Sequence, residues 1–86
     1  MTTWRKELDE ALARNKEAWG DVDGSTLTET QLDAEFYPGY GGAEGCPFTL
    51  WTKNRVYFPA VYDGMEWVAS TPRNPNGQAT PHVGGK

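Results

Sequence analysis

Four clusters in this chain hold residue types that could do chemistry. The first is Asp21-Val22-Asp23-Gly24-Ser25. Alternate oxygens at that spacing begin the kind of loop that wraps a calcium ion. The loop would need a glycine at its sixth position and a glutamate at its twelfth, where the chain has Thr26 and Leu32, so an Asx-type turn is the favoured reading. The second is Cys46 with His82, the only Cys and the only His. A thiolate–imidazole pair could act as a nucleophile, but no third group is placed to orient it. One Cys and one His cannot build a structural zinc site. The third is Asp33 with Glu35. On a strand they would share a face about 7 Å apart, yet nothing apolar beside them would drive their pKa values apart as acid–base catalysis needs. The fourth, Gly-Tyr-Gly-Gly-Ala-Glu-Gly at 39–45, has no Gly-Lys-Ser/Thr and no following helix, so it is not a phosphate loop. These residues point to no enzyme, no metal and no cofactor.

Charge is more informative. Residues 17–52 hold seven acids, including Glu29, Asp33, Glu35 and Glu44, and no Lys or Arg; the net charge there is −7, against −4 for the whole chain of 86 residues. The flanking parts are +1 and +2. A cation-free block argues against direct nucleic-acid binding, which needs cations for phosphates, and suits a basic partner surface. No apolar run approaches the roughly 20 residues of a membrane span. The N-terminus lacks the apolar core of a signal peptide, and a single Cys cannot form an internal disulfide framework. A reducing cytoplasm is the expected compartment.

The elements follow from periodicity. Trp4, Leu8, Ala11, Leu12, Ala18 and Trp19 form a helical stripe, which predicts a helix over 3–19 with Thr3 as N-cap and Gly20 just past its end. Lys6–Glu10 and Glu10–Arg14 fall at i,i+4 on its polar side. Residues 21–25 read as a turn. Segment 26–37 is two-valued. Thr26 with Glu29, or Thr28 with Gln31, suits a capping box, and Leu32/Phe36 a helix, while Leu32, Ala34 and Phe36 alternate with polar residues as a strand does. A strand over 31–37 is the expectation, with a helix as the alternative. A Gly/Pro loop (38–47) leads to strands at 48–52, 55–62 and 65–71, with turns at Lys53-Asn54 and Asp63-Gly64.

The fold class expected is therefore α+β. An N-terminal amphipathic helix packs on a three- to four-stranded antiparallel meander, with one compact domain over 1–75 and a flexible tail over 76–86. Through Asp63-Gly64, Tyr62 opposes Met65, Ala60 opposes Trp67 and Phe58 opposes Ala69. One face then carries Val56, Phe58, Ala60, Tyr62, Met65 and Trp67, and the other Tyr57, Pro59, Val61, Glu66 and Val68. The helix is assigned to the Phe58/Ala60/Trp67 face. That leaves Tyr57, Val61, Val68 and, depending on register, Trp51 for the loop and tail to cover, or for a partner or a second copy of the chain. Pro59, which cannot donate to a ladder, predicts a bulge.

FTLWT, RVYFPAVYDGMEW and TPRNP, taken with EFYPGYGGAEG, resemble small proteins encoded by phages and prophages over about residues 31–75. In size, acidity and low Cys content the chain is similar in kind to anti-CRISPR and other anti-defence proteins. That resemblance implies a non-catalytic inhibitor in the cytoplasm of a bacterial host. It would bind a host defence protein such as a Cas effector subunit or nuclease. The resemblance carries no contact residues over; those expected come from the cation-free block and the uncovered sheet face, and are Glu29, Asp33, Glu35, Glu44, Trp51, Tyr57 and Val61. The alternative is a self-associating structural or regulatory phage protein, a homodimer through the uncovered sheet face.

Overall fold

The computed structural model describes residues 1–39 and 42–83. An N-terminal helix α1 (Trp4–Arg14) is followed by strand β1 (Val22–Ser25), a short helix α2 (Glu29–Asp33), and strands β2 (Leu50–Thr52), β3 (Arg55–Tyr62) and β4 (Met65–Pro72). The strands form one antiparallel sheet in the order β1-β2-β3-β4. This is the expected α+β class.

α1 begins where the sequence places it, with Thr3 Oγ1 accepting from the Lys6 amide. It ends five residues early. Lys16 takes a left-handed backbone (φ 59°), its amide donates to the Ala13 carbonyl, and the Glu17 amide reaches back to Leu12 at 2.8 Å. These two bonds make a Schellman cap with lysine where glycine is usual. Gly20 instead lies in a single 3-10 turn, Trp19–Asp21. The early stop turns Glu17 toward the sheet. Its carboxylate accepts from Thr52 Oγ1 at 2.8 Å and from the Tyr57 hydroxyl.

The same turn lets 22–25 run beside β2 as a strand rather than a simple turn, with a register shift between Val22 and Gly24. Asp21 and Asp23 then point to different partners. Asp21 accepts from the Ala18 amide and Asp23 pairs with Arg73, so they converge on no shared ligand.

Segment 26–37 takes the helical alternative, against the expected strand. Thr28 Oγ1 accepts from the Gln31 amide, and Gln31 Oε1 accepts from the Thr28 amide. This reciprocal capping box nucleates a turn that places Leu32 and, just beyond the helix end, Phe36 in the core. Phe36 then pairs with Thr2 through two backbone bonds of 3.0 and 2.9 Å, tying the chain's start to the end of this segment.

The β2–β3–β4 register matches the expectation, with Tyr62↔Met65, Ala60↔Trp67 and Phe58↔Ala69 paired. Leu50↔Tyr57 and Trp51↔Val56 resolve the second turn. No bulge forms at Pro59; the β3–β4 register runs unbroken from Arg55↔Pro72 to Tyr62↔Met65. In a two-residue hairpin the first flanking pair is hydrogen-bonded and the pairs then alternate, which puts Pro59 at a non-hydrogen-bonded position toward β4. Its other side lies beyond the start of β2, so no ladder bond is lost.

The helix covers the face opposite to the one assigned. Leu50, Thr52 and Tyr57 are fully buried with Trp4, Leu8 and Leu12, and Val68 joins them. Counting apolar side chains favours the Phe58/Trp67 face, but polar satisfaction decides the matter. Tyr57 can be buried because its hydroxyl donates a hydrogen bond to Glu17, and Asn15 Nδ2 lies 3.3 Å from both the Tyr57 hydroxyl and Ser70 Oγ. On the outer face Phe58, Ala60 and Trp67 are half-buried. Residues 76–83 follow β4 without helix or strand and form a cleft with Trp67 and Ala69, and Thr80 Oγ1 lies 3.2 Å from Thr71 Oγ1. The tail thus returns to the sheet as far as Val83. The mobility expected of its last ten residues falls in part on 84–86, outside the described residues.

Loop 42–47 is held at three points. Glu66, buried beside the hairpin, accepts from the Glu44 amide at 2.7 Å and the Gly45 amide at 2.9 Å, and Trp4 Nε1 donates to the Cys46 carbonyl. Gly45 has to be glycine, because a Cβ there would lie 2.6 Å from the Trp4 ring.

Candidate interaction surface

A helix of eleven residues spans about 16 Å, whereas the eight-residue strands of the β3–β4 hairpin span about 27 Å. α1 packs toward the other end of the hairpin, where Asn15 meets Tyr57 and Ser70. The turn end therefore projects past the helix and carries what the helix leaves uncovered. Val61, Tyr62 and Met65 are each about half exposed (48%, 49% and 52%). Tyr37 is 50% exposed and joins them through the next residue, because the Glu66 amide donates to the Pro38 carbonyl. Besides these four, the exposed large apolar side chains among the described residues are Met1 and Val83, near the chain ends. Pro59, Ala60 and Val61 border a shallow apolar hollow closed on its far side by Ala43, Gly45 and Pro47.

Acids rim this end. Asp63 occupies the turn in a left-handed conformation beside Gly64 (φ 51° and 82°), as a tight hairpin turn requires. Glu44 is exposed above Glu66, and Glu35 lies two residues before Tyr37. The segments that build the end, 33–39, 42–47 and 56–72, contain no Lys or Arg.

The expected contact residues divide on this frame. Glu35, Glu44 and Val61 lie at the hairpin end or on the segments that lead to it. Glu29 and Asp33 sit on α2 and are engaged by Arg5. Its guanidinium donates to both Asp33 oxygens, at 2.6 and 3.1 Å, and to Glu29. Arg5 holds the Asp33 carboxyl below the usual carboxylate range. The four acids thus do not form one strip, and Asp33 and Glu35 do not share a strand face. Trp51, paired with Val56 and stacked near Gly24, is half-buried on the outer face. Tyr57 is removed from any contact surface: it is completely buried, and burial together with its bond to Glu17 pushes its hydroxyl up to about 12. Cys46 packs against the core, while His82 lines the cleft between tail and outer face.

Tyr37, Tyr62 and Met65 were missed by sequence reasoning. A signal for two of them was present: large apolar residues flank the Asp63-Gly64 turn immediately on both sides, farther along the hairpin than a short helix can reach. Tyr37 gave no such signal, since its place depends on the Pro38–Glu66 bond.

Comparison with protein-family models, with curated proteins and with solved structures finds no match for this chain. No helix among the described residues is long and apolar enough to cross a membrane.

Proposed function

We propose that this chain is a non-catalytic binding protein that docks through the β3–β4 hairpin end onto a basic, partly apolar surface of another protein. The observation that carries this reading is the exposure of Tyr37, Val61, Tyr62 and Met65 at one end, on both faces of the hairpin, with Glu35, Glu44 and Asp63 on the same segments and no Lys or Arg among them. Aromatic and Met side chains supply contact area, and the acids supply orientation and encounter rate. The partner class rests on the resemblance to phage anti-defence proteins: a host defence protein, a CRISPR-Cas effector subunit or its nuclease, blocked at a surface built for nucleic acid. A second copy of the chain fits less well, because a two-fold contact through this end would set acidic rim against acidic rim.

The test is direct binding to purified Cas effectors and their nucleases, measured at several salt concentrations. Tyr62→Asp and Met65→Asp should each weaken the complex roughly tenfold or more, and Glu44→Lys should weaken it and flatten its salt dependence. A complex as tight with both hairpin variants as with the parent would sink the proposed surface. Sedimentation that shows a dimer broken by the same variants would replace the host partner with a second copy.

A further inference from the structure

The opposite end of the molecule holds a polar cleft with a different chemistry. It lies between the turn after α1, the β2–β3 turn and the segment leaving β4, with a volume of about 430 Å³, and is lined by Lys16, Glu17, Asn54, Arg55, Asn74 and Asn76. We infer that this cleft binds one small oxyanion, a phosphate or carboxylate group carried by a low-molecular-weight ligand.

Donors dominate the lining. Lys16 brings an ammonium, Arg55 a guanidinium, and Asn54, Asn74 and Asn76 bring carboxamides. Arg55 is fixed by its Nε–H, which donates 2.9 Å to Ser70 Oγ, and the same Ser70 oxygen is met by Asn15 at 3.3 Å. Neither terminal nitrogen of Arg55 has a hydrogen-bond partner among the described residues. A guanidinium held through Nε offers those two nitrogens together, an arrangement suited to two-pronged recognition of an oxyanion.

The acids near the cleft are already engaged. Both Glu17 oxygens accept bonds, from Thr52 and Tyr57, and Asp23 is paired with Arg73 at 2.9 Å. Two carbonyls of the last turn of α1, Leu12 and Ala13, which would repel an anion, accept from the Glu17 and Lys16 amides. The walls are also braced. The Arg73 amide donates to the Asn54 carbonyl, the Arg73 guanidinium donates to the Thr52 carbonyl, and Asn74 Nδ2 reaches the Lys53 carbonyl at 3.4 Å. The segment leaving β4 is thereby fastened across the β2–β3 turn, so this wall of the cleft, like Arg55, is in place before a ligand arrives.

The experiment is a titration of isotope-labelled full-length protein with inorganic phosphate and, separately, with acetate. Ionic strength is held constant with chloride and amide resonances are followed. Saturating shifts confined to residues near 16–17, 54–55 and 74–76 are expected. Saturation with phosphate assigns a phosphate-bearing ligand, with acetate a carboxylate-bearing one, and with both a general oxyanion site. Arg55→Lys keeps the charge but loses the fork, and should weaken binding about fivefold or more. Lys16→Gly removes a cation, suits the left-handed backbone and leaves the Arg55–Ser70 bond intact; it should weaken binding two- to threefold, on the order of one exposed charge pair. Shifts that grow linearly with both anions, or equal affinities in parent and both variants, would overturn the inference.

Discussion

Single side chains decide where the helix ends and which face of the sheet it covers. Lys16 occupies a left-handed position that glycine adopts without steric cost. Lys16→Gly should therefore stabilise the fold by about 1 kcal/mol in urea unfolding, even as it weakens the proposed anion site. Tyr57 gives a pH signature. Its hydroxyl ordinarily titrates near 10 and is raised to about 12 in the fold by burial and by Glu17. The neutral phenol is thus favoured in the folded state. The resulting stabilisation is complete below pH 10 and is lost as pH rises from about 10 to about 12. Melting temperature followed across that window should fall more steeply for the parent than for Tyr57→Phe. Of these features the sequence shows only the Thr3 cap, a local matter of three residues. The Glu17–Tyr57 bond joins residues 40 apart, and no periodicity marks it.

Elements were legible where one local pattern stood alone and misread where two patterns overlapped. The β3–β4 hairpin is written in Asp63-Gly64 and the alternation around it, and its register is as expected throughout. Segment 26–37 carries both a period-two alternation and a capping box, and the capping box prevails because it satisfies two amides at once. Thr28→Ala should cost about 1 kcal/mol, read as faster amide exchange at residues 31–33 with β3 and β4 unchanged. α1 was expected to run to residue 19 because Ala18 and Trp19 continue its stripe. The chain breaks after Arg14 instead, which frees 22–25 to become the fourth strand. Pro59 was expected to bend β3, yet it sits where neither neighbour needs its missing N–H.

The whole molecule is charged differently at its two ends. Lys16, Lys53, Arg55 and Arg73 gather around the β2–β3 turn, and Glu35, Glu44, Asp63 and exposed apolar side chains gather around the β3–β4 turn. The run without cations from 17 to 52 is visible in the sequence. Its splitting by Arg5, which takes up Glu29 and Asp33, depends on α1 packing beside α2. The same holds for the choice of covered face: local alternation favours the Phe58/Trp67 side, and the helix covers the Tyr57 side. Because Met65 is half exposed and makes the hairpin end apolar without filling the core, Met65→Asp should change unfolding free energy by no more than about 0.5 kcal/mol. A loss of partner binding in a variant that stable would report the surface itself.

The buried Glu66 has a consequence for how the protein survives in a cell. A stretch as rich in glycine and proline as 42–47 would ordinarily be an early site of cutting by proteases, which need several residues of chain to lie open in their active-site groove. Here two successive amides of that stretch end on one carboxylate, and the next carbonyl ends on Trp4. A glutamate-specific protease should therefore cut after Glu44 slowly. Glu66→Gln turns one acceptor into a donor facing an amide, and the rate should rise severalfold while sites elsewhere are cut as before. The loop that looks most fragile on paper is thus shielded from digestion by an acid 22 residues away.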